Sequence, residues 1–183
     1  EPNTPFGHNP PPLPAEEQLW EIQEAGTQLL QQSAFQQYEI SAYAKGEARC
    51  QHNLNYWRFG DYLGIGAGAH AKITTVAEGS ISRSARHRKP QSYIDSVGSE
   101  RVESSRQTVT AGALPLEFMM NRLRLPEPFT PQQFEARTGC SWERVDGKVS
   151  EATAQGLLVE QSGKISTTEQ GRNFLNDLLG LFQ

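Results

Sequence analysis

Apolar and polar positions recur with two different periods along the first half of the chain, and each period predicts an element. From Pro14 to about Gln32, residues Leu19, Ile22 and Leu29 repeat at helical spacing with Glu, Gln and Thr between them. This pattern predicts an amphipathic helix whose apolar face covers another part of the protein. The segment from Tyr38 to Ala44 alternates with period two and predicts a strand. A helix followed by a strand at this distance is half of a βαβ unit.

Short elements with weaker patterns fill the rest of this half. Six of the 11 prolines lie in the first 14 residues, which predicts an extended, irregular segment because proline fixes φ and lacks an amide donor. The other predicted elements are a short apolar strand over 62–66, two strands over 72–76 and 80–83 that form a hairpin around Glu78-Gly79, an amphipathic helix over 91–106 and a linker over 111–115.

The C-terminal part has a different order of elements: three helices, a β-hairpin and a closing helix. The helices are predicted over 116–125, from the N-cap Thr130 to about Arg137 and over 148–154, the hairpin joins 157–160 to 164–167, and the closing helix spans 168–181. This order is typical of a winged-helix-like domain. Met119 and Met120 are assigned to the apolar stripe of the first of these helices, and Arg122 and Arg124 to its exposed surface.

The composition excludes several classes of protein. The 183 residues carry a formal charge of −4 at pH 7 and have a mean hydropathy of −0.60. The acidic balance, which also holds for the C-terminal part, argues against nucleic-acid binding, because phosphate neutralisation needs a basic face. No apolar run approaches the roughly 18 residues of a membrane span. A signal peptide is not apparent either, and we expect a cytoplasmic protein.

The cysteine count narrows the chemistry further. Cys50 and Cys140 are too few for a disulfide scaffold, a four-cysteine zinc site or an iron–sulfur cluster. The sequence begins at Glu1 rather than Met, and we expect it to be a piece of a longer protein.

A glycine-rich segment is the first candidate for ligand binding. Gly64-Ile65-Gly66-Ala67-Gly68-Ala69 fits the G-x-G-x-x-A pattern of dinucleotide-binding loops, which requires a helix immediately after it. The next residues are β-branched and strand-like, which argues against a Rossmann fold. A glycine-rich loop leaving a barrel strand fits better, because glycine lets a ligand approach the backbone where barrel enzymes bind ligands. A tight turn without a ligand remains the alternative.

A second candidate site surrounds His52. Cys50 and His52 are both metal ligands by type, but two ligands this close rarely form a complete zinc site. A neutral imidazole can also be an axial haem ligand, with aromatic neighbours against the macrocycle. From residue types alone, a structural histidine is the favoured alternative, and the same alternative applies to His70.

The basic run from Arg83 to Lys89 is a third candidate, because arginine suits bidentate contacts with carboxylates and phosphates. A solvated loop is the alternative. Neither a Ser–His–Asp arrangement nor a nucleophile elbow is present, and no carboxylate pair stands out, so no catalytic residue is assigned.

Two long stretches resemble a known family. Residues 38–45 and 50–70, the latter with an H-N-x-x-Y-W motif formed by His52, Asn53, Tyr56 and Trp57, resemble the HemW haem chaperones. These belong to the oxygen-independent coproporphyrinogen III oxidase-like family of radical S-adenosylmethionine proteins, whose true oxidases typically lack that motif. Residues 1–7, 118–125 and 174–179 are also similar to parts of the family, so the resemblance covers nearly the whole chain. Ala71 departs from the glycine that is usual there.

The resemblance implies the C-terminal half of a larger fold. The implied class is α/β plus α+β, in which 1–110 contributes the last strands and helices of a partial TIM-like radical SAM barrel. Residues 111–183 are then a HemN-type C-terminal winged-helix-like domain. The missing N-terminal half would carry a C-x-x-x-C-x-x-C motif that holds a [4Fe-4S] cluster, with S-adenosylmethionine on its unique iron.

The resemblance also implies a function and the residues that serve it. His52 is the candidate ligand of haem iron and the surrounding residues are Asn53, Tyr56 and Trp57, while the loop residues Gly64, Ile65, Gly66 and Gly68 face S-adenosylmethionine. The resemblance does not assign the basic run over 83–89; from the charge of its side chains we assign it to the haem propionates. The parent would bind haem and deliver it to acceptor haem proteins, visiting the membrane to meet them without spanning it. The alternative is the C-terminal portion of an oxygen-independent coproporphyrinogen III dehydrogenase of porphyrin biosynthesis.

Overall fold

The computed structural model describes residues 3–183, which form nine α-helices and seven β-strands in a mixed α/β fold. The helices are α1 (Pro5–His8), α2 (Glu16–Gln32), α3 (Gln51–Trp57), α4 (Pro90–Ser96), α5 (Leu114–Arg122), α6 (Pro131–Thr138), α7 (Asp146–Ala154), α8 (Glu169–Asn173) and α9 (Leu175–Gly180). The strands are β1 (Gln36–Glu39), β2 (Ala42–Ala44), β3 (His70–Thr75), β4 (Ser80–Arg86), β5 (Glu103–Thr108), β6 (Leu158–Gln161) and β7 (Lys164–Thr167). Glu1 and Pro2, the start of the predicted irregular segment, lie outside the described residues.

The strands form three separate antiparallel sheets. β1 pairs with β2, β3, β4 and β5 form a three-stranded sheet in that order, and β6 pairs with β7. The two predicted hairpins, β3–β4 and β6–β7, are confirmed. All strand pairs within residues 3–183 are antiparallel, so the partial barrel stays a prediction.

The single strand predicted over Tyr38–Ala44 is wrong, because the chain turns back at Ile40-Ser41 to form β1 and β2. The turn is closed by Glu39, whose Oε2 accepts hydrogen bonds from Ser41 N at 3.2 Å and Ser41 Oγ at 3.3 Å. Period-two alternation is the same in one strand and in two short ones, because side chains alternate in both. Within residues 3–183, β1 pairs with β2 alone and in antiparallel fashion, so the βαβ half-unit stays a prediction.

The main core lies in the C-terminal part. The buried ring of Phe118 contacts those of Phe129 and Phe134 edge to face, with centroid distances of 5.6 Å and 5.2 Å. Helix α6 packs Phe134 into this core and has the predicted ends: Thr130 Oγ1 accepts from Gln133 N at 3.2 Å, and Gly139 is left-handed with φ 70°. These caps fix where α6 starts and stops.

A smaller core positions the candidate site around His52. Tyr38, Ala44, Leu54 and Leu125 are buried together, and Trp57 packs against them. This cluster joins the β1–β2 hairpin and α3 to the residues that follow α5.

Helix α2 matches its predicted bounds but buries none of its residues. Leu19, Ile22 and Leu29 are 42%, 62% and 65% exposed. A hydrogen bond of 2.9 Å between Thr27 Oγ1 and Tyr43 Oη ties the helix to β2. The apolar face that was expected to cover another element is therefore uncovered within residues 3–183.

Two predicted elements in the middle of the chain are wrong. The helix predicted over 91–106 stops at Ser96, and its second half forms β5 beside β4. Gly98, with φ 83°, adopts the left-handed conformation that ends a helix. The strand predicted over 62–66 reduces to one isolated bridge between Tyr62 and Lys72.

Other predictions fail at element ends. Leu114 and Pro115, placed in a linker, are buried in the first turn of α5. The closing helix is interrupted at Phe174, which separates α8 from α9. Met120, assigned to the apolar stripe, is 51% exposed, whereas Met119 is fully buried. Helix α1 interrupts the irregular first 14 residues.

Candidate functional site

Helix α3 presents the H-N-x-x-Y-W motif. His52 and Tyr56 are four residues apart and therefore share a helix face. Their rings meet edge to face at a centroid distance of 4.8 Å, and His52 is exposed. Within residues 3–183, neither ring nitrogen of His52 makes a hydrogen bond. The imidazole thus has a free nitrogen lone pair on an accessible surface, which is what an axial haem ligand requires.

The base of α3 holds this face in place. Leu54 is 3% exposed and anchors the helix in the smaller core. Tyr38 Oη accepts a hydrogen bond from Cys50 N at 3.3 Å, which occupies one of the otherwise unpaired amide groups at the helix start. The position of His52 is therefore set by the β1–β2 hairpin beneath the helix.

A row of side chains extends from Tyr56 to α5. The Tyr56 and Tyr62 rings lie 4.1 Å apart, and Arg83 Nη1 donates to Tyr62 Oη at 3.4 Å. Arg83 also donates to Glu117 Oε2 from Nε at 2.9 Å and from Nη2 at 2.6 Å. Burial raises the pKa of the Tyr62 phenol, so this group stays protonated at neutral pH. Sequence reasoning did not assign Tyr62 or Glu117 to the site, since both lie outside the motif.

Asn53 and Trp57 occupy another side of the helix. They are also four residues apart, and Trp57 packs against the smaller core. The guanidinium carbon of Arg124 lies 4.4 Å from the centre of the Trp57 ring. Trp57 Nε1 is buried without an acceptor among residues 3–183. The structure thus brings His52 and Tyr56 together and turns Trp57 towards the protein interior.

Arg124 is wrongly predicted as a surface charge. It donates to Glu39 Oε1 from Nε at 2.9 Å and from Nη2 at 2.6 Å, and the Glu39 side chain is only 4% exposed. This ion pair spans 85 residues of sequence and joins β1 to the residues after α5. The prediction that Arg122 lies on the exposed surface is also wrong, since this residue is only 5% exposed.

The glycine segment is an ordered loop that leads into β3. Gly66 and Gly68 have φ values of 103° and 72°, which residues other than glycine rarely adopt. Gly68 N donates to His87 O at 2.8 Å, and Gly66 N donates to Tyr93 Oη at 3.2 Å. Ile65 is 83% exposed. Because a strand follows the loop, the dinucleotide pattern lacks its helix, and the argument against a Rossmann fold is confirmed.

An ion pair between buried Lys72 and exposed Asp61, which the sequence did not reveal, supports this loop. Lys72, 2% exposed, donates to Asp61 Oδ1 at 3.0 Å and to Phe59 O at 3.1 Å, with its ammonium 4.1 Å from the Phe59 ring centre. Asp61 also accepts from Thr74 N and Thr74 Oγ1, both at 2.8 Å. Burial lowers the pKa of Lys72. Burial also opposes ionisation of Asp61, but hydrogen bonds from Thr74 and Lys72 outweigh it and lower the pKa of that carboxyl.

The basic run over 83–89 is divided between strand and loop. Arg83 and Arg86 lie in β4 and are half-buried, with Arg86 Nη1 3.6 Å from Glu103 Oε1. His87 Nε2 lies 2.9 Å from Arg101 O. Arg88 and Lys89 are exposed. A wholly solvated loop is therefore wrong, and the charges with greatest access to a ligand are the last two.

The donor set does not fit a resident metal centre. Within residues 3–183, no group of three or more His, Cys, Asp or Glu side chains converges on a point that a metal ion could occupy. Cys50 is exposed and Cys140 is buried, and both are free thiols. A [4Fe-4S] cluster therefore has no ligand set in the described residues.

Comparison with known proteins gives close relatives over the whole chain. Residues 109–174 match the family model described as the HemN C-terminal domain. The chain is 48% identical over 182 residues to a protein named "Heme chaperone HemW" from Escherichia coli (strain K12), covering 100% of this chain and 47% of that protein. A protein of the same name from Haemophilus influenzae is 46% identical over 182 residues, covering 100% of this chain and 46% of the relative. The chain thus spans about half the length of these curated relatives and matches their C-terminal region.

A more distant relative and a solved structure extend the comparison. "Radical S-adenosyl methionine domain-containing protein 1, mitochondrial" from Mus musculus is 32% identical over 177 residues, covering 92% of this chain and 40% of that protein. Among solved structures, coproporphyrinogen III oxidase (HemN) from Escherichia coli, a radical SAM enzyme, aligns with a TM-score of 0.66 at 14% identity. That alignment covers 93% of this chain and 42% of the other, and it shows a shared fold. In the part that the structure describes, no helix is long and apolar enough to cross a membrane.

Proposed function

The chain is HemW-like and corresponds to the C-terminal region of that family, and on that premise we propose that its parent protein binds haem and delivers it to acceptor haem proteins. The observation that carries this proposal is the exposed His52 imidazole, which has no hydrogen-bond partner within residues 3–183 and lies against the Tyr56 ring. A free nitrogen lone pair and an adjacent aromatic ring are the two features that bind haem iron and its macrocycle.

The residues around His52 have different roles in this proposal. Tyr56 offers a ring face next to the imidazole, and the Tyr62 ring packs against it. Arg83 donates to the Tyr62 phenol, and Glu117 holds Arg83 in place. Trp57 anchors α3 from the interior side and Asn53 borders the site. Arg88 and Lys89 are the residues of the basic run that remain exposed for a haem propionate.

The remaining assignments concern the parent protein. We propose that its N-terminal half holds the [4Fe-4S] cluster, since the described residues offer no ligand set for one. Gly64, Ile65, Gly66 and Gly68 would face the S-adenosylmethionine side, which is consistent with the exposure of Ile65 and the left-handed glycines. Residues 1–110 would belong to the partial barrel and 111–183 to a winged-helix-like domain. A cytoplasmic location stays a prediction of the sequence.

The test of His52 is a titration of the 183-residue chain with haemin, followed by absorption in the Soret region. We expect a saturable Soret shift that His52→Ala abolishes, since the substitution removes the proposed ligand. His8→Ala is the matched control, because His8 is an exposed histidine outside the motif. Since His52 is exposed, its substitution should leave the far-ultraviolet circular dichroism unchanged. An unaltered shift in His52→Ala would exclude His52 as the ligand.

The dehydrogenase alternative remains distinct from this proposal. The likeness to coproporphyrinogen III oxidase is at 14% identity and concerns the fold alone. The relatives at 48% and 46% identity carry the chaperone name. Assaying the reconstituted full-length parent for protoporphyrinogen formation separates the two functions: we expect none, and its appearance would favour the dehydrogenase.

A further inference from the structure

A cleft beside the end of α3 is lined by arginine side chains that take no part in the proposed haem site. It has a volume of about 390 Å³ and is lined by Arg58, Arg122 and Arg137, with Glu127 and Gln133 among them. Three guanidinium groups and one carboxylate line this cleft, whereas the chain as a whole carries −4. Cavities of this size hold small molecules, and a local positive charge on an acidic protein selects anions.

Arg122 is a buried charge whose hydrogen bonds are incomplete. Its side chain is 6% exposed, and Nη2 donates to Glu127 O at 3.0 Å and to Pro128 O at 2.9 Å. The guanidinium carbon lies 5.4 Å from the Phe129 ring centre. Nη1 is buried and has no acceptor within residues 3–183. Burial lowers the pKa of Arg122 to about 10. Leaving a buried charged donor unpaired is costly, which indicates that an acceptor is missing.

The single carboxylate in the cleft cannot be that acceptor. Glu127 Oε1 and Oε2 accept from Arg58 Nε at 2.8 Å and Nη2 at 2.7 Å, and Oε1 also lies 3.2 Å from Arg122 Nη2. The hydrogen bond from Arg58 lowers the pKa of Glu127, which therefore stays ionised at neutral pH. Both of its oxygens are already engaged.

The remaining polar side chains of the lining, Arg137 and Gln133, carry donors without acceptors. The side chain of Arg137, in the last turn of α6, makes no hydrogen bond or ion pair with any residue from 3 to 183. Gln133 uses its Oε1 to accept from Thr130 N at 3.0 Å, which leaves its amide NH₂ group facing no acceptor in the same range. The cleft thus combines free donors on three side chains with no free carboxylate.

We propose that this cleft binds a small oxyanion, a phosphate or carboxylate group, through Arg122, Arg137 and Gln133. A guanidinium group can donate two parallel hydrogen bonds to a pair of oxygens on either anion, and these bonds are charge-assisted. Arg58 and Glu127 contribute by holding Arg122 in place rather than by contacting the anion. The site is separate from His52, and its existence does not depend on haem binding.

The test is isothermal titration of the 183-residue chain at constant ionic strength, with inorganic phosphate in one arm and propionate in the other. We expect saturable binding in at least one arm, and the tighter arm identifies the class of anion. Arg137→Gln should raise the dissociation constant about tenfold, because the anion loses one charge-assisted hydrogen bond. Arg101→Gln is the matched control, since it removes the same charge from an exposed residue that neither lines the cleft nor belongs to the basic run over 83–89.

A second variant tests the cleft without removing an arginine. Ala136→Glu places a carboxylate at an exposed position of α6 that lines the cleft, and we expect it to abolish binding by occupying the free donors. No saturable heat in either arm up to about 10 mM would overturn the proposal. Equal weakening by Arg101→Gln and Arg137→Gln would also overturn it, because the effect would then reflect net charge alone. Since neither outcome involves haem, this test and the haemin titration fail independently.

Discussion

At the scale of single residues, the Lys72 ammonium is a buried charge outside the two proposed sites. It is enclosed by the Phe59 ring, the Phe59 carbonyl and the Asp61 carboxylate. Asp61 is itself held by Thr74, so the pair fixes the turn before Tyr62 to β3. A buried charge of this kind stabilises a structure only while its partner stays ionised.

We predict that Asp61→Asn destabilises the chain at pH 7 by about 2 kcal/mol, because Lys72 then lacks a counter-charge in a buried position. The pKa of Asp61 is lowered in the folded state, so its contribution is complete above the unfolded pKa of about 3.9 and is lost as pH falls through the folded pKa. The stability difference should therefore shrink on acidification. Urea unfolding at pH 7 and at about pH 3 measures it.

Asp177→Asn is the control for this prediction, since Asp177 is exposed and makes no hydrogen bond or ion pair within the described residues. It should change the free energy of unfolding little at either pH. A difference for Asp61→Asn that is as large in acid as at neutral pH would show that the loss comes from packing rather than from charge.

At the scale of elements, the sequence predicts well wherever the signal is local. Helix α6 is marked by Thr130, Pro131 and Gly139, and the hairpins β3–β4 and β6–β7 by turn residues between apolar runs. These signals are local because caps and turns are made by neighbours in sequence. The H-N-x-x-Y-W segment is likewise recognisable from the sequence as a family motif, although the sequence pattern does not predict that it forms a helix.

Predictions fail where distant residues decide the structure. Arg124 pairs with Glu39 across 85 residues, and nothing in its own helical pattern indicates that partner. Residues 103–108 become β5 because β4 offers a pairing edge, although their own pattern was compatible with a helix. The arginine cleft is missed for the same reason, since Arg58 and Arg122 come together only in the fold.

The backbone of the loop before β3 packs closely around Gly64. A Cβ at this position would lie 2.5 Å from His70 O and 2.7 Å from His70 C, and these are backbone atoms that a side-chain rotation cannot move. We predict that Gly64→Ala destabilises the chain by about 2 kcal/mol, the usual cost of overpacking. Chemical denaturation measures the change. Gly112→Ala is the matched control, because an added Cβ there has no neighbour within 4 Å and should be nearly neutral.

At the scale of the whole molecule, the C-terminal part has a well-packed core, whereas helix α2 has an apolar face that no other described element covers. The C-terminal elements share one core with many fully buried side chains, whereas α2 buries none. A 17-residue helix with apolar residues on one face gains most of its stability from packing of that face. For the free chain, this uncovered face is an exposed apolar patch.

We therefore predict that the free 183-residue chain self-associates through α2, and that the double substitution Ile22→Glu and Leu29→Glu suppresses this association. The two residues are seven apart, so they lie on one face of the helix. Because they are 62% and 65% exposed, the substitutions should leave the free energy of unfolding almost unchanged. Sedimentation velocity over a range of concentrations measures the association. Val76→Glu, at an 87% exposed position outside α2, is the control. If it reduces association as much as the α2 variant does, added negative charge and not the apolar face controls the behaviour.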